Sequence, residues 1–307
     1  MTSVGSTALS ARTGSDAWLQ RDAARLRYRC EGSGANAIVF VHGWTLDLDM
    51  WEPQVAAFQS DYRVIRWDRR GSGFSIGRPS LDLDVGDAMA LCGHLGVQRA
   101  VFVGMSQGAR VVCGLAALAP GLVAGVVLDG APDLRPDGSL TLQDMPLGRY
   151  RQLIATQGLD AFRAEWSQHP LARLRSGDTD AQRLVSTMLS RYSGADLAGD
   201  APQPDHAPQS GDAPRLGDES QPGDASRPGN ATRSDALLAA LTMPALILNG
   251  EFDVQSRLDA GAALARALPH SHRVIVPHAG HLANLDNPMD YNRALRDFLT
   301  HHAVLSH

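Results

Sequence analysis

Short apolar runs alternate along most of this chain with longer segments of mixed polarity. Continuous apolar stretches such as residues 37–41 and 100–103 are typical of strands that are buried on both faces of a mostly parallel sheet. The mixed segments between them have the composition and length of helices. The pattern predicts strands at residues 18–20, 26–30, 37–41, 62–67, 100–103, 125–128, 244–250 and 274–276, and helices at residues 50–59, 82–95, 109–119, 235–241, 256–268 and 288–299.

Strands and helices therefore alternate, which calls for crossover connections and places the chain in the α/β class. The rhythm breaks after Ala131. Residues 140–193 have helical patterns and carry four aromatic residues, which predicts a helical cap over the strand ends: Tyr150, Phe162, Trp166 and Tyr192. In the helix at 82–95, apolar positions include Leu83, Met89, Ala90 and Leu91.

A segment rich in proline, glycine, aspartate and serine interrupts the second half of the chain. It lacks aromatic residues and repeats the sequence Gly-Asp-Ala-Pro, so it cannot bury enough apolar surface to offset the entropy of ordering it. The alternation of strands resumes after it, so we interpret it as an insert within one sheet. The predicted organisation is a disordered leader at 1–16, a core in two parts at 17–135 and 235–302, a cap at 136–193 and a disordered insert at 194–234.

The composition narrows the classes of partner. The formal net charge of −5 gives no sign of nucleic acid or of an anionic membrane surface. The three cysteines, Cys30, Cys92 and Cys113, are far apart, which argues against a disulfide framework or a zinc site and fits a reducing compartment. No apolar run approaches the length of about 18 residues that a spanning helix needs. We expect a soluble, cytoplasmic protein that acts on a small molecule, without a cofactor or metal.

The motif Gly-Met-Ser-Gln-Gly at residues 104–108 follows a predicted strand and precedes a predicted helix. This is the context of a nucleophile elbow, in which a sharp turn holds the serine in a strained conformation and exposes its hydroxyl above the sheet. Glycines are needed two residues before and after the serine, because a Cβ at either position would clash where strand and helix cross. The sequence predicts Ser106 as a nucleophile.

A serine nucleophile needs a base, and the base needs a carboxylate to orient it. On this architecture the chain order is serine, carboxylate, histidine. Asp253 and His281 each follow a predicted strand, so both lie at the edge of the sheet where open α/β folds place their sites. The alternatives to Asp253 as the carboxylate are Asp129, which follows the preceding strand, and then Glu251 and Asp133. His278 is interpreted as a neighbour of His281.

Acyl transfer also needs two backbone N–H groups that face the developing oxyanion. One is the N–H of Gln107, at the start of the helix after the elbow. The other is expected from the loop after the strand at 37–41, where the N–H of Trp44 would donate. The ring of Trp44 would then form a wall of the acyl pocket.

Together these motifs resemble the α/β-hydrolase family. The resemblance rests on His-Gly-Trp at 42–44, Asp-Arg-Arg-Gly-Ser-Gly-Phe-Ser at 68–75, the elbow, Gly-Glu-Phe-Asp at 250–253 and His-Ala-Gly-His at 278–281. It is closest to bacterial esterases, 3-oxoadipate enol-lactonases and cofactor-free haloperoxidase-like hydrolases, and it covers about residues 17–135 and 235–302. It implies an eight-stranded, mostly parallel sheet with a helical cap.

Two positions near the nucleophile differ from, or add to, that pattern. Gln107 stands where this branch commonly has methionine, which changes the polarity of the pocket but keeps the N–H. Arg110 lies four residues after Ser106, a spacing that is also found in relatives that eliminate from carboxylate-bearing substrates. The alternative for Arg110 is an ion pair at the helix.

The function predicted from the sequence is therefore hydrolysis of a small carboxylic ester or lactone by Ser106, His281 and Asp253. One alternative is a lyase or carbon–carbon bond hydrolase in which Arg110 binds a substrate carboxylate. The other is a ligand receptor or signalling protein that keeps the triad without efficient turnover. Substrate contacts are expected from the cap, and the candidates are Met145, Leu147 and Trp166.

Overall fold

An eight-stranded sheet forms the frame of the protein. The computed structural model describes residues 14–132, 134, 145–197 and 238–301, so most of the predicted leader, most of the predicted insert and the first three residues of the helix predicted at 235–241 lie outside the described residues. The strands are β1 (Ala17–Arg21), β2 (Ala24–Glu31), β3 (Ala37–Val41), β4 (Arg63–Trp67), β5 (Ala100–Met105), β6 (Val123–Asp129), β7 (Ala245–Gly250) and β8 (Ser271–Val276).

The strand order is β1-β2-β4-β3-β5-β6-β7-β8. Strand β2 is antiparallel to both of its neighbours, and all the other pairs are parallel. In this register Val41 pairs with Gly104 and Met105 pairs with Asp129, so the carboxyl ends of β3, β5 and β6 lie side by side. The predicted α/β-hydrolase fold with a mostly parallel sheet is confirmed.

Helices cover both faces of the sheet, because the central strands alternate their side chains between two apolar layers. Val39 and Val41 point into one layer, and Ile38 and Phe40 point into the other. The described helices are α1 (Glu52–Phe58), α2 (Leu81–His94), α3 (Gln107–Leu118), α4 (Leu147–Gln157), α5 (Leu159–Trp166), α6 (Thr179–Arg191), α7 (Gln255–Ala267), α8 (Ala283–Asp286) and α9 (Pro288–His301). None of the helices within the described ranges is long and apolar enough to cross a membrane.

The cap consists of α4, α5 and α6, which carry the aromatic residues that the sequence pattern singled out. Its core is a set of buried rings, here called the aromatic cluster, that includes one residue from the loop after β3: Trp44, Tyr150, Phe162, Trp166 and Tyr192. The ring centroids of Trp44 and Trp166 are 4.7 Å apart in an edge-on arrangement. Aromatic pairs at such distances prefer edge-on geometry, so the cap is joined to the core by ring packing.

The structure describes a few residues of the predicted leader and of the predicted insert, and they contact the folded core and the cap. Asp16, placed in the predicted leader, accepts a hydrogen bond of 2.6 Å from Nε of Arg29 on β2. The described part of the predicted insert, residues 194–197, packs on the cap, where Leu197 is buried in the aromatic cluster and Asp196 bonds to Tyr192. Residues 196 and 197 therefore contact the cap.

Candidate active site

The nucleophile elbow has the strained geometry that its sequence predicts. Ser106 has φ 53° and ψ −115°, in the region that residues other than glycine rarely adopt. A Cβ on Gly104 would lie 2.4 Å from the Gly108 carbonyl oxygen, and a Cβ on Gly108 would lie 2.3 Å from the Val41 carbonyl oxygen. Only glycine fits at these two positions. The Ser106 N–H donates to the Asp129 carbonyl oxygen at 2.8 Å, which fixes the elbow to the end of β6.

The structure brings Asp253 and His281 together across the ends of β7 and β8. Nδ1 of His281 lies 2.9 and 3.1 Å from the two carboxylate oxygens of Asp253, and both side chains are buried. Gly130 makes room for this pair, because a Cβ there would lie 2.8 Å from Cε1 of the His281 ring. Since a carboxylate only accepts hydrogen bonds, Nδ1 is the donor of this pair, which leaves Nε2 as the acceptor of a neutral ring.

The alternative carboxylate, Asp129, has no such contact. Its side chain is fully buried, and neither of its oxygens has a hydrogen bond of regular geometry to a described residue. Burial, then the nearby Asp253 charge, raises its pKa well above the usual value. Glu251 instead accepts a hydrogen bond of 2.8 Å from the backbone N–H of the exposed His278. Asp133 lies outside the described residues.

The loop after β3 lies directly against the elbow. A Cβ on Gly43 would lie 2.5 Å from Sδ of Met105 and 3.5 Å from Cβ of Ser106. The backbone of Trp44 follows immediately, and Gln107 is the first residue of α3. The two peptides that the sequence analysis singled out as oxyanion donors therefore flank the serine.

Ser106 and His281 line one cavity beneath the cap, with about 400 Å³ of empty space including its open mouth. Of the predicted substrate contacts, Trp44, Met145 and Trp166 line it too. Arg110 and Leu147 are not among its lining residues; Leu147 packs against the aromatic cluster instead. The remaining lining residues are Thr45, Leu46, Met105, Leu171, Ala172, Val185 and Leu189.

Two parts of this site carry contacts that the sequence analysis missed. The indole N–H of Trp44 donates to the carboxylate of Asp196, and that of Trp166 donates to Oγ1 of Thr45 at 2.8 Å. Val185 and Leu189 lie four residues apart on α6, so helical periodicity could have identified them as one face. Asp196 has no local signal, because it lies at the edge of a low-complexity segment.

Comparison with known proteins agrees with this geometry. Residues 36–288 match the family model described as alpha/beta hydrolase fold. The chain belongs to the alpha/beta hydrolase family. It is therefore a hydrolase-type enzyme, and the resemblance to esterases and haloperoxidases is confirmed by the relatives.

This α/β hydrolase is similar to proteins that are named as different enzymes. It is 41% identical over 115 residues to a non-heme haloperoxidase of Rhodococcus erythropolis, covering 36% of this chain and 42% of that protein. It is 29% identical over 274 residues to a 2-succinyl-6-hydroxy-2,4-cyclohexadiene-1-carboxylate synthase of Escherichia coli, covering 85% and 93%. Among solved structures, a thermophilic esterase from Thermogutta terrifontis superposes with a TM-score of 0.71 at 26% identity, covering 93% of this chain and 98% of that one.

No group of three or more histidine, cysteine, aspartate and glutamate side chains gathers as a metal site within residues that the structure describes. The cysteines are unpaired, and burial raises the pKa of both Cys92 and Cys113 to about 12. At neutral pH these two thiols therefore stay protonated and unreactive.

Proposed function

We propose that this α/β hydrolase cleaves a small carboxylic ester or lactone through Ser106, His281 and Asp253, by way of an acyl-enzyme. The observation that carries the proposal is the contact of 2.9 Å between His281 and Asp253, together with a strained serine that lines the same cavity. A serine hydroxyl is a weak nucleophile at neutral pH and needs such an oriented base. The proposed compartment remains the cytoplasm.

In the first half of the reaction, Oγ of Ser106 attacks the substrate carbonyl carbon while Nε2 of His281 takes the hydroxyl proton. Asp253 stabilises the imidazolium that results. When the tetrahedral intermediate collapses, the bond between the carbonyl carbon and the leaving oxygen breaks, and His281 returns the proton to that oxygen. The alcohol leaves and the acyl group stays on Ser106.

In the second half, His281 takes a proton from water, and the hydroxide adds to the acyl carbon. The bond to Oγ of Ser106 then breaks, the proton returns to Oγ, and the carboxylic acid is released. Both tetrahedral intermediates carry an oxyanion, which the N–H groups of Trp44 and Gln107 would stabilise. Removal of one such donor typically costs about 10²–10³-fold in rate.

The lining of the cavity favours an apolar acyl group. Among its lining residues none carries a fixed positive charge, and most are apolar. The lyase alternative requires a cation to bind the substrate carboxylate, and its candidate, Arg110, is absent from this lining. Ester or lactone hydrolysis is therefore the better supported reaction, although relatives from Bacillus subtilis and Escherichia coli are named as synthases of a carboxylate-bearing product.

Labelling with a fluorophosphonate, followed by a panel of p-nitrophenyl esters of increasing acyl length, tests the proposal. We expect the wild-type protein to be labelled and to turn over short esters, and both signals to disappear in Ser106→Ala and His281→Ala. A matched control is His278→Ala, since His278 lies three residues from His281 but is exposed. This control should keep both signals.

Two outcomes would contradict the proposal in different ways. Tight ligand binding without labelling or turnover would support the receptor alternative. Turnover confined to carboxylated substrates, and lost in Arg110→Met, would support the lyase alternative.

A further inference from the structure

The peptide between Gly43 and Trp44 is held by two hydrogen bonds to its carbonyl oxygen. Its carbonyl oxygen accepts from Nδ1 of His42 at 2.8 Å and from Nη2 of Arg69 at 3.3 Å. The carbonyl of Gly43 and the N–H of Trp44 belong to the same planar unit and point in opposite directions. Fixing the carbonyl oxygen therefore fixes the direction in which the N–H of Trp44 points.

The same guanidinium also reaches the other side of the site. Nη2 of Arg69 donates to Oε1 of Gln107 at 3.0 Å. Gln107 is the residue whose backbone N–H is the second proposed oxyanion donor. One nitrogen of Arg69 thus joins the loop after β3 to the start of α3, the two segments on either side of Ser106.

Arg69 is itself anchored at two points. Its Nη1 donates to Oδ2 of Asp84 on α2 at 3.1 Å, and its backbone N–H donates to Nε2 of His42 at 2.9 Å. Burial raises the pKa of Asp84 to about 6, so this carboxylate is ionised at neutral pH. The side chain of Arg69 is only 7% exposed, and a buried charge-assisted hydrogen bond is among the strong ones.

The state of His42 agrees with this arrangement. Burial, and then the charge of Arg69, holds the pKa of His42 well below its usual value. A neutral ring has one donor and one acceptor nitrogen. Nδ1 donates to the Gly43 carbonyl, and Nε2 accepts from the backbone of Arg69, so both nitrogens are used.

We propose that Arg69 is a positioning residue that clamps the two oxyanion-hole peptides of this enzyme in their active orientation. The clamp acts through the Gly43 carbonyl and the side chain of Gln107. A positive charge on the carbonyl side also polarises the peptide, which makes the N–H of Trp44 a stronger donor toward an oxyanion. The inference rests on the proposed ester or lactone hydrolysis.

The test compares steady-state kinetics of Arg69→Met, Arg69→Lys and Gln107→Met on the best ester of the panel. Arg69→Met removes the hydrogen bonds to the Gly43 carbonyl and to the Gln107 side chain. This variant should lower kcat about 100-fold, within the range for loss of an oxyanion donor. Arg69→Lys keeps the positive charge but lacks the planar, forked guanidinium, and its kcat should fall about tenfold. Gln107→Met removes the hydrogen bond between Arg69 and the Gln107 side chain, and its kcat should fall about tenfold, the low end for a hydrogen bond to a charged group. KM should change by no more than about twofold in each, since the clamp acts on the transition state.

A matched control separates positioning from folding. The neighbouring Arg70 is also buried and forms a forked ion pair with Asp87 on α2, at 2.6 and 2.8 Å. Arg70→Met should lower the melting temperature as much as Arg69→Met while kcat stays close to that of the wild type. The inhibition constant of a boronic acid, which forms a tetrahedral adduct with Ser106, should rise in the Arg69 variants in parallel with the loss of kcat, and not in Arg70→Met.

The outcomes distinguish this inference from the proposed function. If Arg69→Met keeps wild-type kcat, or if Arg70→Met loses kcat equally, the clamp is wrong while ester or lactone hydrolysis stands. If the wild-type protein is neither labelled by a fluorophosphonate nor active on any ester, the proposed function and the clamp fall together.

Discussion

The floor and the roof of the cavity are built in different ways. The floor consists of Ser106 and His281, with Asp253 in contact with His281, and each of the three lies in a loop that follows a strand. The roof is the aromatic cluster, which is held by contacts between residues far apart in the chain. The indole N–H of Trp44 donates a hydrogen bond to a carboxylate 152 residues away, and that of Trp166 donates one to a hydroxyl 121 residues away.

Because they are built differently, the floor is expected to govern the reaction rate and the roof the choice of substrate. The positions of the floor residues follow from strand order and register, which change little when a surface loop or a cap changes. The roof rests on side-chain packing between α4, α5, α6 and one loop of the core, so substitutions there can reshape the cavity while the sheet stays intact. We expect floor variants to alter rate and roof variants to alter substrate preference.

The largest effect is expected at the floor, where Asp253 contacts His281 and its neighbour Asp129 does not. Asp253→Asn should lower kcat about 10³–10⁴-fold, because an amide N–H facing Nδ1 would favour the wrong tautomer of His281. The paired control, Asp129→Asn, should keep most of the wild-type kcat. Steady-state kinetics on one ester measure both, and an equal loss in the two variants would show that Asp129 shares the orienting role.

The next effect concerns the attachment of the roof to the core. Arg191, on the last turn of α6, pairs with Asp47 at 2.6 Å and with Asp49 at 2.8 Å, and is only 14% exposed. Arg191→Met should lower the free energy of unfolding by about 2–4 kcal/mol, since it leaves buried carboxylates short of a partner.

The control lies on the same helix. Arg183 pairs with Asp180 but is 73% exposed, so Arg183→Met should change the free energy of unfolding by less than about 0.5 kcal/mol. Urea denaturation of both variants gives the two values. Equal losses would mean that the pair of Arg191 contributes no more than a surface ion pair.

A smaller effect, on selectivity, is expected from the roof. Trp166 lines the cavity, so Trp166→Ala should lengthen the preferred acyl chain. The relative kcat/KM should shift about tenfold toward longer esters, which corresponds to the burial of one to two more methylene groups. Phe162 stacks on Trp166 with a ring separation of 6.2 Å but does not line the cavity. Phe162→Leu should therefore lower stability without this shift. An unchanged chain-length profile in Trp166→Ala would remove Trp166 from the substrate contacts.

The smallest effect is a pH dependence of stability at the floor. Burial raises the pKa of Asp129 well above its usual value, so the folded state holds this proton more tightly than the unfolded state. The associated stability is fully present below the unfolded pKa of about 4 and is lost as the pH rises through the folded pKa.

Asp129→Asn removes that titration. The free energy of unfolding of Asp129→Asn should therefore increase relative to that of the wild type as the pH rises from about 5 to about 9. Thermal melts across that range measure the difference. A constant difference would mean that the carboxyl group does not titrate on unfolding in this window.

Patterns in the sequence located the strands well, but the apolar positions of one helix do not by themselves mark its buried face. On α2 the apolar positions named from the sequence include Leu83 and Met89, which are exposed. Leu91 is buried, and Asp84 and Asp87 are buried with it, because they pair with the guanidinium groups of Arg69 and Arg70. A periodicity that treats every charge as facing solvent cannot find an ion pair formed inside the fold.

Local patterns in the sequence were enough to predict the α/β fold and the strained elbow at Ser106, and to single out the carboxylate and the histidine that follow β7 and β8. These features are local, because apolar runs, glycine spacing and the order of motifs along the chain specify them. The tertiary structure alone decided that Arg69 joins two peptides beside the nucleophile, that Asp196 holds the ring of Trp44, and that Arg110 stays outside the cavity lining. Such contacts join side chains that are distant in sequence, so they have no signature until the sheet and the cap bring them together.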